Sequence, residues 1–169
     1  MLPEKMPYDE LVRAFRWQVP SNYNIGVDIC DRWAHSDPAR IALIHKRPDG
    51  EVERFSYLDL KDNSNRLANL LRSCGIKRGD RVALLLPQSP ETCFGHIAIY
   101  KLGAITVPLA SLFGVEALEF RLNNSGARVV ITNNQGVEKI EAIRDRLNSL
   151  EQVFNIDDDA GLNMILEQE

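Results

Sequence analysis

Ten glycines are scattered through this 169-residue chain, and no two of them stand one residue apart. The dinucleotide fingerprint spaces its glycines closely so that backbone can approach a pyrophosphate, and it is absent here. No glycine is followed by lysine, which removes the P-loop as well. No HExxH occurs, and the histidines and cysteines lack the spacing of a zinc site. The three cysteines, Cys30, Cys74 and Cys93, are odd in number and make no CxxC pair. That argues against a disulfide framework and for a reducing compartment. The apolar runs fall far short of the ~20 residues that span a bilayer. The opening Met-Leu-Pro-Glu-Lys-Met-Pro carries no apolar h-region, so a soluble, cytoplasmic chain is expected. A basic stripe is also missing: 20 Lys and Arg face 24 Asp and Glu, for a net charge of -4. Nucleic acid is therefore not an expected partner. The cluster Arg72, Lys77, Arg78 and Arg81 reads as a helix end and its turn, where solvated cations commonly collect.

What is present is an ordinary globular composition, 44% hydrophobic, enough to build one domain. Residues 1–25 read as a short helix and a wrapping arm, with Tyr8, Phe15, Trp17 and Tyr23 expected to bury against a surface. Residues 26–156 read as an α/β core and 157–169 as the chain end. Ile25, Ile29 and Trp33 stand at helical spacing, and Pro38 closes that helix. Ile41–Ile44 and Val52–Phe55 flank Pro48-Asp-Gly50, a hairpin signature. Ser56 and Asp59 form a capping-box pattern. The helix behind them carries the stripe Leu60, Ser64, Leu67, Leu71 and Cys74, with Gly75 as its stop.

Strands and helices then alternate. Arg81–Leu86, Ile105–Val107, Arg128–Thr132 and Val153–Ile156 are expected strands, the first two buried and closed by Pro87 and Pro108. Between them come helices capped at Ser89-Pro90, spanning Val115 to Asn124, and marked by Val137, Ile140, Arg144 and Leu147. Parallel strands need such crossovers. The expected fold class is α/β: an open, largely parallel sheet flanked by helices, with an N-terminal β-hairpin.

The residues themselves reveal no active site. His35, His45 and His96 have no evident nucleophile or carboxylate partner in sequence and read as surface or core histidines. Ser89 before Pro90 reads as an N-cap, not a nucleophile. Asp157-Asp-Asp159 reads as a solvated turn, since hard cations need converging oxygens from several elements. Cys93, inside a helical apolar pattern, reads as core.

Several segments in order nevertheless resemble one family. They are Phe55-Ser-Tyr-Leu-Asp-Leu60, Asn65-Arg-Leu-Ala68, Gly79-Asp-Arg-Val-Ala83, Tyr100-Lys-Leu-Gly-Ala104 with Val107-Pro108, and Ser125-Gly-Ala-Arg128. Together, from about Tyr23 onward, they look like the N-terminal portion of an acyl-CoA synthetase of the adenylate-forming, AMP-binding superfamily. Pro108-Leu-Ala-Ser-Leu-Phe-Gly114 is more similar to the acetate-to-medium-chain branch than to the long-chain one.

The resemblance implies a ligase that uses ATP, Mg²⁺ and CoA to activate a small carboxylate as acyl-AMP and pass it to CoA. It also implies that the phosphate loop, the adenine site, the Mg²⁺-linked glutamate and the catalytic lysine have no counterpart in these 169 residues. The expectation is a fragment of a longer ligase, inactive alone, with no cofactor bound. Its surface would be partly uncovered and able to self-associate. Leu109–Gly114 leaves the C-terminal end of a strand, where open α/β sheets bind ligands. By the resemblance, Leu112 and Phe113 there would line the acyl and CoA entrance. The alternative is a non-catalytic α/β module that binds a protein partner or an acyl ligand. A generic nucleotide-binding protein is disfavoured by the missing glycine loop.

Overall fold

The structure is a computed structural model that describes residues 6–158. Its centre is a four-stranded parallel sheet of β3 (Arg81–Leu85), β4 (Ile105–Leu109), β5 (Val129–Thr132) and β6 (Gln152–Asn155) in the order β4-β3-β5-β6. A hairpin of β1 (Ile41–Lys46) and β2 (Val52–Ser56) precedes it. The helices are α1 (Tyr8–Ala14), α2 (Arg32–Ser36), α3 (Tyr57–Ser73), α4 (Pro90–Lys101), α5 (Val115–Ser125) and α6 (Asn134–Glu141). This is the α/β class expected.

Alternation along the strands divides the core in two. Val82, Leu84, Val129 and Ile131 point to one face, where they meet Leu67, Leu71 and Ile99. Ala83, Leu85 and Val130 point to the other and meet Leu118, Leu122 and Ile140. The chain thus folds α3 and α4 onto one side and α5 and α6 onto the other. A third, smaller cluster of Cys30, Leu60 and Ile97 packs with Leu43, Phe55 and Phe94 beneath the hairpin.

Local chemistry sets several boundaries. Ser56 Oγ accepts from Asp59 N at 3.1 Å, and Asp59 Oδ2 accepts from Ser56 N at 2.8 Å, so the capping box at the start of α3 is complete. Gly126 ends α5 in the left-handed region at φ 63°, which favours a residue without Cβ.

Other expectations need correction. The helix around Cys30 buries Gly26, Cys30 and Ala34, not the Ile25, Ile29 and Trp33 stripe. Ile25 and Ile29 remain over 40% exposed. Small residues face inward because the segment, a π-turn over Val27–Asp31 leading into α2, lies close against α4. A Cβ on Gly26 would sit 2.8 Å from Lys101 Cγ and 2.9 Å from Lys101 N. The N-terminal arm does not bury its aromatics either. No α1 residue is buried, and Trp17 is 83% exposed, touching Phe15 edge-on. With seven residues and polar groups between its apolar ones, α1 has no stripe to bury.

β4 is an edge strand, not a doubly buried one, and of its residues only Leu109 is buried. Pro108 lies inside it, opposite Leu84. An edge position tolerates the missing N–H. The last helix stops at Glu141; a 3₁₀ turn over Arg144–Arg146 follows, after which Leu147 is extended. Ser89 does occupy the N-cap of α4, but its hydroxyl makes no capping bond. The Asp157–Asp159 run lies at the margin of the structure, with Asp159 outside the described residues.

Candidate functional site

All four parallel strands end on one edge of the sheet, so their following loops gather there. Strand order reverses between β3 and β5: the chain runs outward to β4, then crosses back to β5. Ligands of open α/β sheets bind at such a switch point, outside the carboxyl ends of the strands.

This edge of the sheet is pinned from within. Thr132, at the end of β5, is fully buried and donates its hydroxyl to Leu85 O at the end of β3, at 2.8 Å. Gly136, in the first turn of α6, lies over that hydroxyl so closely that a Cβ would overlap Thr132 Oγ1. The helix start is fixed again by Asn133, whose side chain accepts from Gly136 N at 3.1 Å. On the far side Asp157 Oδ2 accepts from Asn134 N at 2.9 Å, and Asn155 donates to Asn134 Oδ1 at 2.7 Å. On the near side Thr92 of α4 donates to Pro87 O at 2.8 Å.

The loop after β4 forms the outer wall. Phe113 N donates to Ala110 O at 3.0 Å, closing a turn. Phe113 packs against the α5 and α6 side of the core. The Arg121 guanidinium lies 4.2 Å from the centre of its ring. Leu112 turns outward and is 93% exposed. Lys139 of α6 reaches across and donates to Ser111 O at 2.6 Å and Phe113 O at 3.1 Å. The structure thus brings Leu112 and Phe113 to the same edge as the switch point, one outward and one inward.

The other singled-out residues lie elsewhere. His35 and His45 stand in α2 and β1. His96 is in α4, its Nδ1 3.0 Å from Tyr100 Oη one turn on, and burial lowers its pKa. Burial pushes the Cys30 thiol up to about 11 and also raises that of Cys93, which disfavours thiolate chemistry at both. Among the described residues no three His, Cys, Asp or Glu side chains are placed to hold a metal ion. A cation cage built from protein side chains alone is thus absent among the described residues. No helix among them is long and apolar enough to cross a membrane.

Sequence reading missed two polar anchors. One is Lys139. The other is Lys101, whose side chain is 8% exposed. Its ammonium donates to Ser64 Oγ at 2.9 Å and Asn65 Oδ1 at 2.6 Å. It also lies 2.6 Å from Asp31 Oδ1, which has no well-aligned hydrogen bond and is satisfied by charge alone. Asn24 Nδ2 in turn donates to Lys101 O at 2.9 Å. Lys101 and its partner Asn65 lie in two of the segments that carry the family resemblance, but neither segment marks them as an anchor; near Lys139 the signal is Gly136, a glycine in an otherwise amphipathic helix, which marks close approach.

What this edge can do chemically is shape and hold a ligand through amides, carbonyls and an apolar tip. The chain is 35% identical over 170 residues to the acetyl-coenzyme A synthetase of Bacillus subtilis (strain 168), covering 94% of this chain and 29% of that enzyme. A crystal structure of the Brucella canis acyl-CoA synthetase superposes with a TM-score of 0.84 at 28% identity, covering 96% of this chain and 32% of that one. The N-terminal domain of FACL13 from Mycobacterium tuberculosis superposes at 0.76 with 31% identity, covering 86% of this chain and 36% of that one. The chain therefore spans about a third of these relatives. Residues 30–169 match the family described as AMP-binding enzyme, and the chain belongs to that family.

Proposed function

We propose that these residues form the first part of the N-terminal domain of an AMP-forming acyl-CoA synthetase for short- or medium-chain carboxylates, working in the cytoplasm. In the complete reaction a carboxylate oxygen attacks the α-phosphorus of ATP and pyrophosphate leaves. The sulfur of CoA then attacks the acyl carbon, and AMP leaves. The first step is needed because a carboxylate is a poor electrophile and AMP is a far better leaving group than hydroxide. ATP and CoA act as co-substrates, with Mg²⁺ as the expected metal.

The 169 residues act as scaffold and as one wall of the acyl and CoA entrance, and they do not catalyse by themselves. Within that wall Leu112 forms the exposed tip and Phe113 backs it from the core side. The observation that carries this reading is the position of the Leu109–Gly114 loop, beside the switch point at the carboxyl edge of a sheet shared with acyl-CoA synthetases. Self-association follows from the same reading. The β4 edge is unpaired among the described strands, and Ile105 on it is 52% exposed. Light scattering on the chain should detect a dimer or larger species.

The test uses a chimaera in which residues 30–158 replace the matching segment of the Bacillus subtilis enzyme. Phe113→Ala there should change the preference between acetate and octanoate more than it changes the KM for ATP. Unaltered chain-length preference contradicts the assignment of the wall.

A further inference from the structure

The loop after β4 has an exposed leucine at its tip, a half-buried phenylalanine behind it, and a cation of α6 tying it to that helix. That cation is Lys139. It donates to two carbonyl oxygens of the loop, Ser111 O at 2.6 Å and Phe113 O at 3.1 Å, which flank Leu112. The helix that carries it cannot easily shift, because Gly136 is seated on Thr132 and Thr132 is bonded to Leu85. Lys139 lies three positions after Gly136, so the ammonium extends from a turn fixed to the sheet. On the opposite flank Arg121 of α5 covers the Phe113 ring at 4.2 Å. An apolar tip as exposed as Leu112 keeps no position through burial. The carbonyls on either side of it must supply that position instead.

We propose that Lys139 is a positioning residue that sets the geometry of Leu112 and Phe113 and, through them, selectivity for the length of an aliphatic carboxylate. The second half of this statement rests on the entrance wall proposed above; the first half does not. Removing the ammonium frees two carbonyls to turn toward water, and the loop opens about its ends at Leu109 and Gly114. A loosened wall admits longer chains with less penalty. Arginine at the same place keeps the charge and can still donate to both carbonyls. Methionine keeps the apolar stem and loses the donors, which separates packing from hydrogen bonding.

Hydrogen–deuterium exchange on the 169-residue chain reads the first half. Lys139→Met should speed exchange of the Phe113 amide, which is bonded to Ala110 O, at least tenfold while β3 and β5 stay protected, and Lys139→Arg should restore most of the protection. Unchanged exchange at Phe113 in Lys139→Met overturns the proposal outright. Selectivity is read as the ratio of kcat/KM for octanoate over acetate in the chimaera. Lys139→Met should raise that ratio threefold or more, with Lys139→Arg near the parent value. If Phe113→Ala moves the ratio and Lys139→Met does not, the positioning role falls while the entrance wall stands. If neither moves it, the wall itself is wrong.

Discussion

Replacing Lys101 by methionine should cost this fold about 2–3 kcal/mol. The side chain is 8% exposed, and its ammonium meets Asp31, Ser64 and Asn65 at 2.6, 2.9 and 2.6 Å. Methionine preserves the stem that packs against Gly26 and removes only the charge and its donors. Asp31 is then left as a carboxylate without its counter-ion, and Ser64 and Asn65 each lose a donor. Breaking a buried pair from one side costs about 3–5 kcal/mol, but Asp31 keeps 23% exposure and water recovers part of that. Hence the lower figure. With a urea m-value of roughly 2–3 kcal/mol/M for a chain of this size, the midpoint should fall by about 1 M. The double variant Asp31→Leu/Lys101→Met should recover at least half of the loss, because an apolar pair carries no uncompensated charge. A midpoint shift under about 0.2 M for the single variant would refute this reasoning, as that is the size expected of a solvent-screened surface pair. A double variant no better than the single would refute it as well.

Gly136→Ala should destabilise by about 1–3 kcal/mol in the same assay, since the new methyl displaces Thr132 from Leu85 and outweighs the ~1 kcal/mol helix-propensity gain. The Arg128 cluster predicts acid sensitivity. Arg128 reaches Asp80 at 2.6 Å and Glu151 at 2.8 Å. The backbone N–H of Lys77 and then Arg128 lower the pKa of Asp80, and Arg128 lowers that of Glu151. Both carboxyls thus bind protons less tightly folded than unfolded. Their contribution is complete above the ordinary carboxylate range and is lost as pH falls below about 4, and Arg128→Met should flatten that loss. Cys30, fully buried and raised to about 11 by burial, should react with a thiol reagent at pH 8 only after unfolding.

What could be read from sequence was what is local or periodic. The capping box at Ser56 and Asp59 needs only three residues to specify it, and it formed as expected. The runs at β3 and β5 are apolar on both faces, and both strands are interior. The edge position of β4 was not legible, because strand order is decided by which crossovers pack where, not by Ile105–Leu109 itself. The inward face around Cys30 was misassigned for a different reason. Periodicity weights large apolar residues, yet close helix approach selects small ones, here Gly26, Cys30 and Ala34. Lys101 and Lys139 were missed because the partners of their ammonium groups on other elements lie 26 or more residues away in the chain. A lone lysine beside an apolar stripe looks like a solvated one. At the candidate site, the sequence placed the loop of Leu112 and Phe113 at a strand end, but not the direction of either side chain or the cation that holds them.

On the function proposed above, these residues build the wall and frame of an adenylate-forming site without performing its chemistry. ATP–pyrophosphate exchange across acetate to octanoate, measured on the 169-residue chain and on the chimaera, tests it most directly. Exchange is expected in the chimaera and none in the chain alone. Exchange by the chain alone would contradict the scaffold assignment. A folded chimaera that fails to exchange with any carboxylate would point instead to a non-catalytic module.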